Sequence, residues 1–177
     1  IQAIIALDIS NSMMAEDVMP SRLAKSKLLV ENMVDHFNND KVGLVVFAGD
    51  AFVQLPITSD YVSAKMFLQN VEPSLIATQG TDIAKAITLS ENSFTQQDKV
   101  LDQMKEDFAQ DEKMKNAAKI GDKSLFKVLY EQKFKDVAVN RYEENDNFFM
   151  DLFGDENKLK FVMNMMSEVI YQDLKGR

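Results

Sequence analysis

The sequence predicts an α/β segment over residues 1–100, followed by a small all-helical segment over residues 101–177. Two near-continuous apolar runs, Ile1–Leu7 and Val42–Ala48, are typical of strands in a parallel sheet. Between them, apolar residues recur at the helical spacing i, i+3, i+4, i+7. The third observation is charge density, which rises from 19 charged residues in the first 100 to 29 in the remaining 77. Such a change indicates a boundary between two architectures.

The first three elements form a strand–helix–strand unit. The run Ile1–Leu7 predicts a strand that is buried on both faces, because its apolar residues do not alternate with polar ones. A helix follows over Arg22–Phe37, and its apolar stripe comprises Val30, Met33, Val34 and Phe37. The second strand, Val42–Ala48, is then expected to lie parallel to the first.

The rest of the front segment is predicted to hold a hairpin and two helices. The pair Gly49–Asp50 indicates a tight turn into an antiparallel edge strand over Ala51–Leu55. Asp60 is a suitable cap for a helix over Tyr61–Asn70. A loop then leads to a further helix over Asp82–Phe94.

Apolar stripes predict that the second segment is a small helical bundle. A helix that carries Leu101 and Phe108 on one face is expected to end at Gly121. Leu125–Val137 indicates another helix, Asn147–Phe153 a short one, and Leu159–Ile170 a last helix with a clear apolar face.

The composition excludes several classes of protein. The chain has no cysteine, which rules out disulfide scaffolds and thiolate sites, and its single histidine, His36, leaves little for histidine-based chemistry. The net charge of −8 argues against strong direct binding of nucleic acid, because proteins bind the phosphate backbone mainly through basic side chains. No run approaches the roughly 18 apolar residues of a membrane-spanning helix.

A motif that suits a metal ion follows the first strand directly. In Asp8-Ile9-Ser10-Asn11-Ser12, one carboxylate and two hydroxyls are spaced by two residues along a turning loop. Ligand sites in parallel sheets lie at the carboxyl ends of the strands. Oxygen ligands alone suit Mg²⁺ or Mn²⁺. Thr81, at the end of a later loop, is the candidate for a third hydroxyl.

Two alternatives remain open for these residues. The Asp8, Ser10 and Ser12 side chains are also suited to capping the next turn or helix. Likewise, either Thr81 or Asp82 is a suitable cap for the helix that follows.

Several segments in order resemble one protein family. The sequence resembles the von Willebrand factor A domain in three segments: DISNS after an apolar strand, VGLVVFAGDAFVQLPITSD and TQGTDI. Within that family, it is most similar to the bacterial aerotolerance (Bat-type) group. The resemblance covers residues 1–98. It implies a Rossmann-like sheet and a metal-ion-dependent adhesion site that binds Mg²⁺ or Mn²⁺ and a protein partner. By this resemblance, the metal ligands are Asp8, Ser10, Ser12 and Thr81.

The sequence departs from that family after the Thr81 helix. The family continues with a buried strand that ends in Asp-Gly and supports the metal, and no such strand is found here. Val137–Val139 is short and lies in a helical context, and Gly154–Glu156 follows a helix-like run. We therefore expect a partial von Willebrand A sheet with flanking helices and a metal site weakened by the missing strand.

The tail resembles a second family. Residues 101–177, and FKDVAVNRYEENDNFFMDLFGDENKLKFVMNMMSEVIYQDLK above all, are similar to the C-terminal helices of the R subunit of type I restriction enzymes. That resemblance implies an assembly or regulatory region without catalytic machinery, whose partners are the other restriction–modification subunits. Together the two resemblances predict that the chain is a chimera or two merged fragments.

The expected function is a non-catalytic protein-binding module. Its cation is expected to bind an acidic residue of a partner protein, because neutral hydroxyl ligands leave the charge of the ion mostly uncompensated. The alternative is the helical region of a restriction complex. The two resemblances imply different cellular locations, since the von Willebrand A group is membrane-associated and the restriction-enzyme family is cytoplasmic.

Overall fold

The computed structural model describes residues 1–143 and 155–177. The chain forms two compact units, Ile1–Thr95 and Gln96–Arg177, which we call the sheet unit and the helical unit. The predicted short helix Asn147–Phe153 lies outside the described residues. The elements in chain order are β1 (Gln2–Asp8), α1 (Arg22–Asp35), β2 (Lys41–Phe47), β3 (Ala51–Thr58), α2 (Tyr61–Gln69), α3 (Ile83–Ala109), α4 (Glu112–Ile120), α5 (Lys123–Glu143) and α6 (Glu156–Gly176).

The sheet unit is built on three strands in the order β1-β2-β3. β1 pairs with β2 in parallel, from Gln2 opposite Lys41 to Asp8 opposite Phe47. β2 and β3 are antiparallel and are joined by the predicted turn at Gly49–Asp50. This arrangement, with helices beside the sheet and a helical unit after it, confirms the predicted α/β class.

β1 lies at an edge of this sheet, and the prediction that it is buried on both faces was wrong. Only Leu7 is buried, whereas Gln2 and Ala6 are exposed. The N–H of Lys41 donates to the Ile1 carbonyl, and alternate residues of a parallel strand bond to the same neighbour. The peptide groups of Gln2, Ile4 and Ala6 therefore face the side on which the described residues supply no strand.

β3 is longer than predicted and ends at Thr58 instead of Leu55. Pro56 lies inside it, which a strand tolerates at the edge of a sheet because no ladder hydrogen bond needs its nitrogen. The pairing with β2 is irregular between Val42 and Val45. The extended strand buries residues 54–58, which gives the hairpin a larger share of the core than the sequence indicated.

α1 and α2 lie side by side. Lys27 donates to the Gln69 carbonyl (2.9 Å), and Lys65 forms an ion pair with Asp35. The stripe predicted for α1 is partly wrong, because Met33 is 51% exposed. The buried residues of the two helices are Leu23, Val30, Val34, Ala64, Phe67 and Leu68.

Asp60 caps α2, as the sequence predicted. Its carboxylate accepts hydrogen bonds from the Ser63 N–H (3.0 Å) and the Ser63 hydroxyl (2.6 Å), and these bonds hold its pKa below the usual value. We expect Asp60→Ala to lower the free energy of unfolding by about 1 kcal/mol at neutral pH. A lowered folded-state pKa adds stability that is present above the unfolded pKa and is lost as pH falls through the folded value.

The difference in the free energy of unfolding between wild type and Asp60→Ala should therefore become smaller below about pH 4. Urea unfolding at pH 7 and pH 3 measures it. Ser63→Ala, which removes the hydroxyl but keeps the backbone N–H, should lose less than Asp60→Ala. A pH-independent difference between wild type and Asp60→Ala would contradict this account of the cap.

The helices around residue 100 differ from the prediction. The sequence indicated one helix that ends at Phe94 and another that runs from Leu101 to Gly121, but α3 is continuous over Ile83–Ala109. The break comes later, where the Asp111 carboxylate accepts from the N–H groups of Lys113 and Met114 (3.0 and 3.1 Å) and caps α4. No glycine or proline occurs between residues 81 and 120, so nothing ends the helix near residue 94.

Aromatic side chains form the centre of the helical unit. The Tyr130 ring lies 5.5 Å from that of Phe108, 5.9 Å from that of Phe126 and 5.7 Å from that of Phe134, between ring centroids. Its hydroxyl donates to the Met163 carbonyl (2.8 Å), and burial raises its pKa. The buried core comprises Met104, Phe108, Met114, Ala117, Ala118, Phe126, Tyr130, Phe134, Ala138, Val162, Met166, Ile170, Tyr171 and Leu174.

None of the helices that the structure describes combines the length and the apolar character needed to cross a membrane.

Candidate functional site

The end of β1 turns sharply into a short helical turn. The Ile9 N–H still continues the ladder to the Phe47 carbonyl (2.8 Å), and a 3₁₀ turn over Asn11–Met14 follows. The Ser10 N–H donates to the Asp8 carboxylate (2.8 Å), which fixes the carboxylate beside the turn. The local bond between residues two apart is the pattern of an Asx turn.

The two serine hydroxyls of the motif meet in this turn. The Ser10 and Ser12 Oγ atoms lie 2.9 Å apart, within hydrogen-bond distance. Ser10 is only 4% exposed, whereas Ser12 lies at the surface. The spacing of two residues therefore brings both hydroxyls together, as the sequence predicted, and leaves one of them open to solvent.

Thr81 belongs to a loop that is attached to the end of β2. The Gly49 N–H donates to the Thr78 carbonyl (2.9 Å), and the Asp82 N–H donates to the Ala48 carbonyl (2.6 Å). The Asp82 carboxylate accepts from the Lys85 N–H (3.0 Å) at the start of α3. Asp82 is thus the residue that caps the helix, and Thr81 is exposed beside it.

Gln79 joins this loop to the turn after β1, and sequence reasoning missed it. Its side-chain carbonyl accepts from the Asn11 N–H (3.0 Å), and its side-chain N–H donates to the Ile76 carbonyl (2.9 Å). Residues 11 and 79 are distant in the sequence and glutamine has no special spacing signal. Only the fold could reveal this link.

Gly49 was also missed as a site residue, since the sequence presents it only as a turn glycine. A Cβ at this position would stand 2.5 Å from the Gln79 carbonyl oxygen and 2.8 Å from that of Thr78. Both distances are shorter than side chains tolerate, and both neighbours are backbone atoms. Glycine at this position therefore lets the Thr81 loop approach the end of β2.

The site lies at one edge of the sheet, because Asp8 and Phe47 are paired at the carboxyl ends of two parallel strands. Two loops that leave this edge meet there. We call this place the carboxyl-edge site, and its members are Asp8, Ser10, Ser12 and Thr81. The fold joins the first three in one turn and brings in the loop of the fourth, whereas a metal-binding role for them stays a prediction.

The donor atoms of the carboxyl-edge site are all oxygens. Over residues 1–143 and 155–177, no three histidine or acidic side chains gather into a group that could hold a metal. A cation at the site would thus depend on hydroxyls together with the single carboxylate of Asp8. This set fits Mg²⁺ or Mn²⁺ and does not fit softer metals.

Charged side chains line the rim next to the Thr81 loop. The Lys85 ammonium lies 3.5 Å from the Asp50 carboxylate and 3.9 Å from that of Asp82. All three side chains are at least one-third exposed, so solvent screens these pairs and each contributes little. Asp50 serves the β2–β3 turn, where its carbonyl accepts from the Ala48 N–H.

The described part of the chain supplies no fourth strand with a supporting acid. Val137–Val139 lies within α5, as expected from its helical context. Asp155 caps α6, since its carboxylate accepts from the N–H groups of Asn157 and Lys158 (2.8 and 3.2 Å). Asp155 thus acts as a helix cap, and the sheet of the described residues ends at β1.

A family model for the von Willebrand factor type A domain matches residues 3–118. The match covers the sheet unit and both loops of the carboxyl-edge site. It continues into α4, beyond residue 98, where the sequence resemblance ended. The break between α3 and α4 at Asp111 thus lies within the matched region.

Solved structures similar to this chain include proteins of the aerotolerance group. They are the conserved hypothetical protein BatB from Bacteroides thetaiotaomicron (64% identity, TM-score 0.52, 52% of this chain and 45% of that one) and an aerotolerance-related membrane protein from Bacteroides fragilis (63%, 0.51, 52% and 46%). An uncharacterized membrane spanning protein from Vibrio fischeri is 27% identical (TM-score 0.51, 55% of this chain and 50% of that one).

A curated relative, an uncharacterized protein of Borreliella burgdorferi, is 47% identical over 58 residues, which are 32% of this chain and 17% of that protein. The chain thus spans half or less of the length of the relatives described here. These matches support the von Willebrand A reading of the front segment. They give no support to the restriction-enzyme reading of the tail.

Proposed function

The chain belongs to the von Willebrand factor type A family, whose domains are protein-interaction modules, and we propose that it binds a partner protein through a cation at the carboxyl-edge site. The proposed cation is Mg²⁺ or Mn²⁺. The similarity to BatB and to an aerotolerance-related membrane protein supports placing this binding role within the aerotolerance group.

The observation that carries the proposal is the meeting of two loops at one edge of the sheet. One loop presents the Ser10 and Ser12 hydroxyls 2.9 Å apart, next to a carboxylate that the Ser10 N–H already orients. The other loop ends in Thr81 and is fixed by backbone hydrogen bonds that Thr78 and Asp82 form with Gly49 and Ala48, directly after β2. Oriented oxygen atoms on fixed loops are what a hard cation requires.

The charge of the donor set argues for an acidic partner. A divalent cation that takes one carboxylate, from Asp8, and neutral hydroxyls keeps a net positive charge. A carboxylate from a second protein would complete both its charge and its ligand shell. The exposed position of Ser12 and Thr81 leaves this side of the cation open to a partner.

The proposed role is non-catalytic. The chain carries Ser10 two residues after Asp8, where phosphoryl-transfer sites that use such an aspartate usually carry a second acid. A cation in this place serves recognition, since it binds the carboxylate of a partner and breaks no bond.

We propose that the native parent of this domain is membrane-associated. Two of the similar solved proteins are described as membrane proteins, one of them as aerotolerance-related.

Mg²⁺ should stabilise the sheet unit in a manner that depends on Asp8. A ligand at ten times its dissociation constant raises the free energy of unfolding by about 1.4 kcal/mol. We expect this gain for the wild type in MgCl₂, compared with NaCl at matched ionic strength, because a chain of charge −8 also responds to salt itself. Asp8→Ala should lose the gain.

Two further variants sharpen the test. Ser12→Ala keeps the Asp8–Ser10 hydrogen bond but removes one proposed ligand and its contact with the Ser10 hydroxyl, so it should weaken the response to Mg²⁺. Asp35→Ala removes an exposed carboxylate on α1 and should respond as the wild type does. Equal stabilisation of wild type and Asp8→Ala, or none in either, would rule out the proposed site.

A further inference from the structure

Gln79 spans the gap between the two loops of the carboxyl-edge site. Its carbonyl oxygen accepts from the N–H of Asn11, the first residue of the turn that carries the serines. That N–H is one of the donors that a helical turn leaves without an internal partner. The other end of the same amide donates to Ile76 in its own loop.

The side-chain amide suits this position because it carries an acceptor and a donor on one planar group. The acceptor reaches across to the serine turn while the donor fixes the direction of the side chain. Methionine has a similar length and makes neither bond. The two hydrogen bonds are therefore a property of the amide and not of the bulk of the residue.

The backbone next to Gln79 is fixed as well. Gly80 has φ +136°, a region that favours glycine, and it lies between Gln79 and Thr81. On the other side, the Gln79 carbonyl oxygen packs against Gly49. The Gln79 side chain reaches from this segment to Asn11 and links the Thr81 loop to the serine turn.

We propose that Gln79 is a positioning residue that sets the cation affinity of the carboxyl-edge site by holding the two loops at a fixed spacing. This inference rests on the proposed function. Loss of one intramolecular hydrogen bond between the loops corresponds to an affinity about fivefold weaker. The effect acts through Asn11 and Thr81, since Gln79 itself is not among the proposed ligands.

The test compares the Mg²⁺ dissociation constants of wild type, Gln79→Met and Asp60→Ala by calorimetry on the full chain at constant ionic strength. Gln79→Met should bind about fivefold more weakly. Asp60→Ala also lowers stability, but Asp60 lies at the opposite end of the sheet, where Thr58 pairs with Val42. This variant should therefore bind Mg²⁺ as the wild type does. Hydrogen exchange without Mg²⁺ should be faster over residues 9–14 in Gln79→Met alone.

The outcomes separate this inference from the proposed function. Mg²⁺ binding by the wild type with an unchanged dissociation constant in Gln79→Met would overturn the role of Gln79 and leave the site intact. An equal weakening in Asp60→Ala would also overturn it, because general loss of stability would then explain the effect. Absence of Mg²⁺ binding in the wild type would overturn the cation site and this role together.

Discussion

Replacing Phe108 with alanine is expected to lower the free energy of unfolding of the helical unit by about 3–5 kcal/mol. The Phe108 ring has no exposed surface and meets the Tyr130 ring edge to face. Its removal leaves a cavity among side chains of α3, α4, α5 and α6, and such cavities close only in part. Urea unfolding followed by far-UV circular dichroism measures the loss.

Ile120→Ala is the control for this variant. Ile120 lies at the end of α4 and is 74% exposed, so its truncation should change stability by less than about 0.5 kcal/mol. Hydrogen exchange should locate the effect of Phe108→Ala in residues 101–143 and 155–177. Similar losses in the two variants would show that the ring does not have the central position described for it.

Gly49→Ala is expected to lower the free energy of unfolding of the sheet unit by about 1–3 kcal/mol. The new methyl group would overlap two backbone carbonyl oxygens of the Thr81 loop, and a backbone cannot turn aside as a flexible side chain does. The loop must move, so the hydrogen bond from the Gly49 N–H to Thr78 should weaken. The response to Mg²⁺ should fall with it.

Gly176→Ala provides the comparison, because a Cβ at Gly176 meets no atom of the described chain within 4 Å. Its stability should stay within about 0.5 kcal/mol of the wild type. Thermal unfolding of both variants, with and without Mg²⁺, separates the two effects of Gly49→Ala. A fully stable Gly49→Ala with a normal Mg²⁺ response would mean that the loop is not held against β2.

Local patterns predicted those elements whose own residues determine them. The apolar run of β2, the turn at Gly49–Asp50 and the Asp60 cap all depend on neighbours in the sequence, and the structure confirms them. The Asp8, Ser10 and Ser12 grouping was visible for the same reason, since residues two apart in a tight turn must come together.

Features that depend on distant partners were not visible. β1 is as apolar as a central strand, and its own residues do not show which neighbours pair with it. The sequence pattern predicted that one helix ends at Phe94 and the next begins near Leu101, yet residues 95–100 contain no residue that ends a helix, and α3 continues through them. The approach of Gly49 to Gln79 joins positions 30 apart, and neither residue has a local signature for it.

The paired hydroxyls of Ser10 and Ser12 determine which chemical conditions affect the proposed cation site. Alcohol groups neither gain nor lose protons near neutral pH, and they do not undergo the reversible oxidation that thiols do. No cysteine occurs anywhere in the chain. The proposed ligands of this chain therefore include no thiol whose oxidation would release the cation. Occupancy would then depend on the supply of the ion and on the presence of the partner.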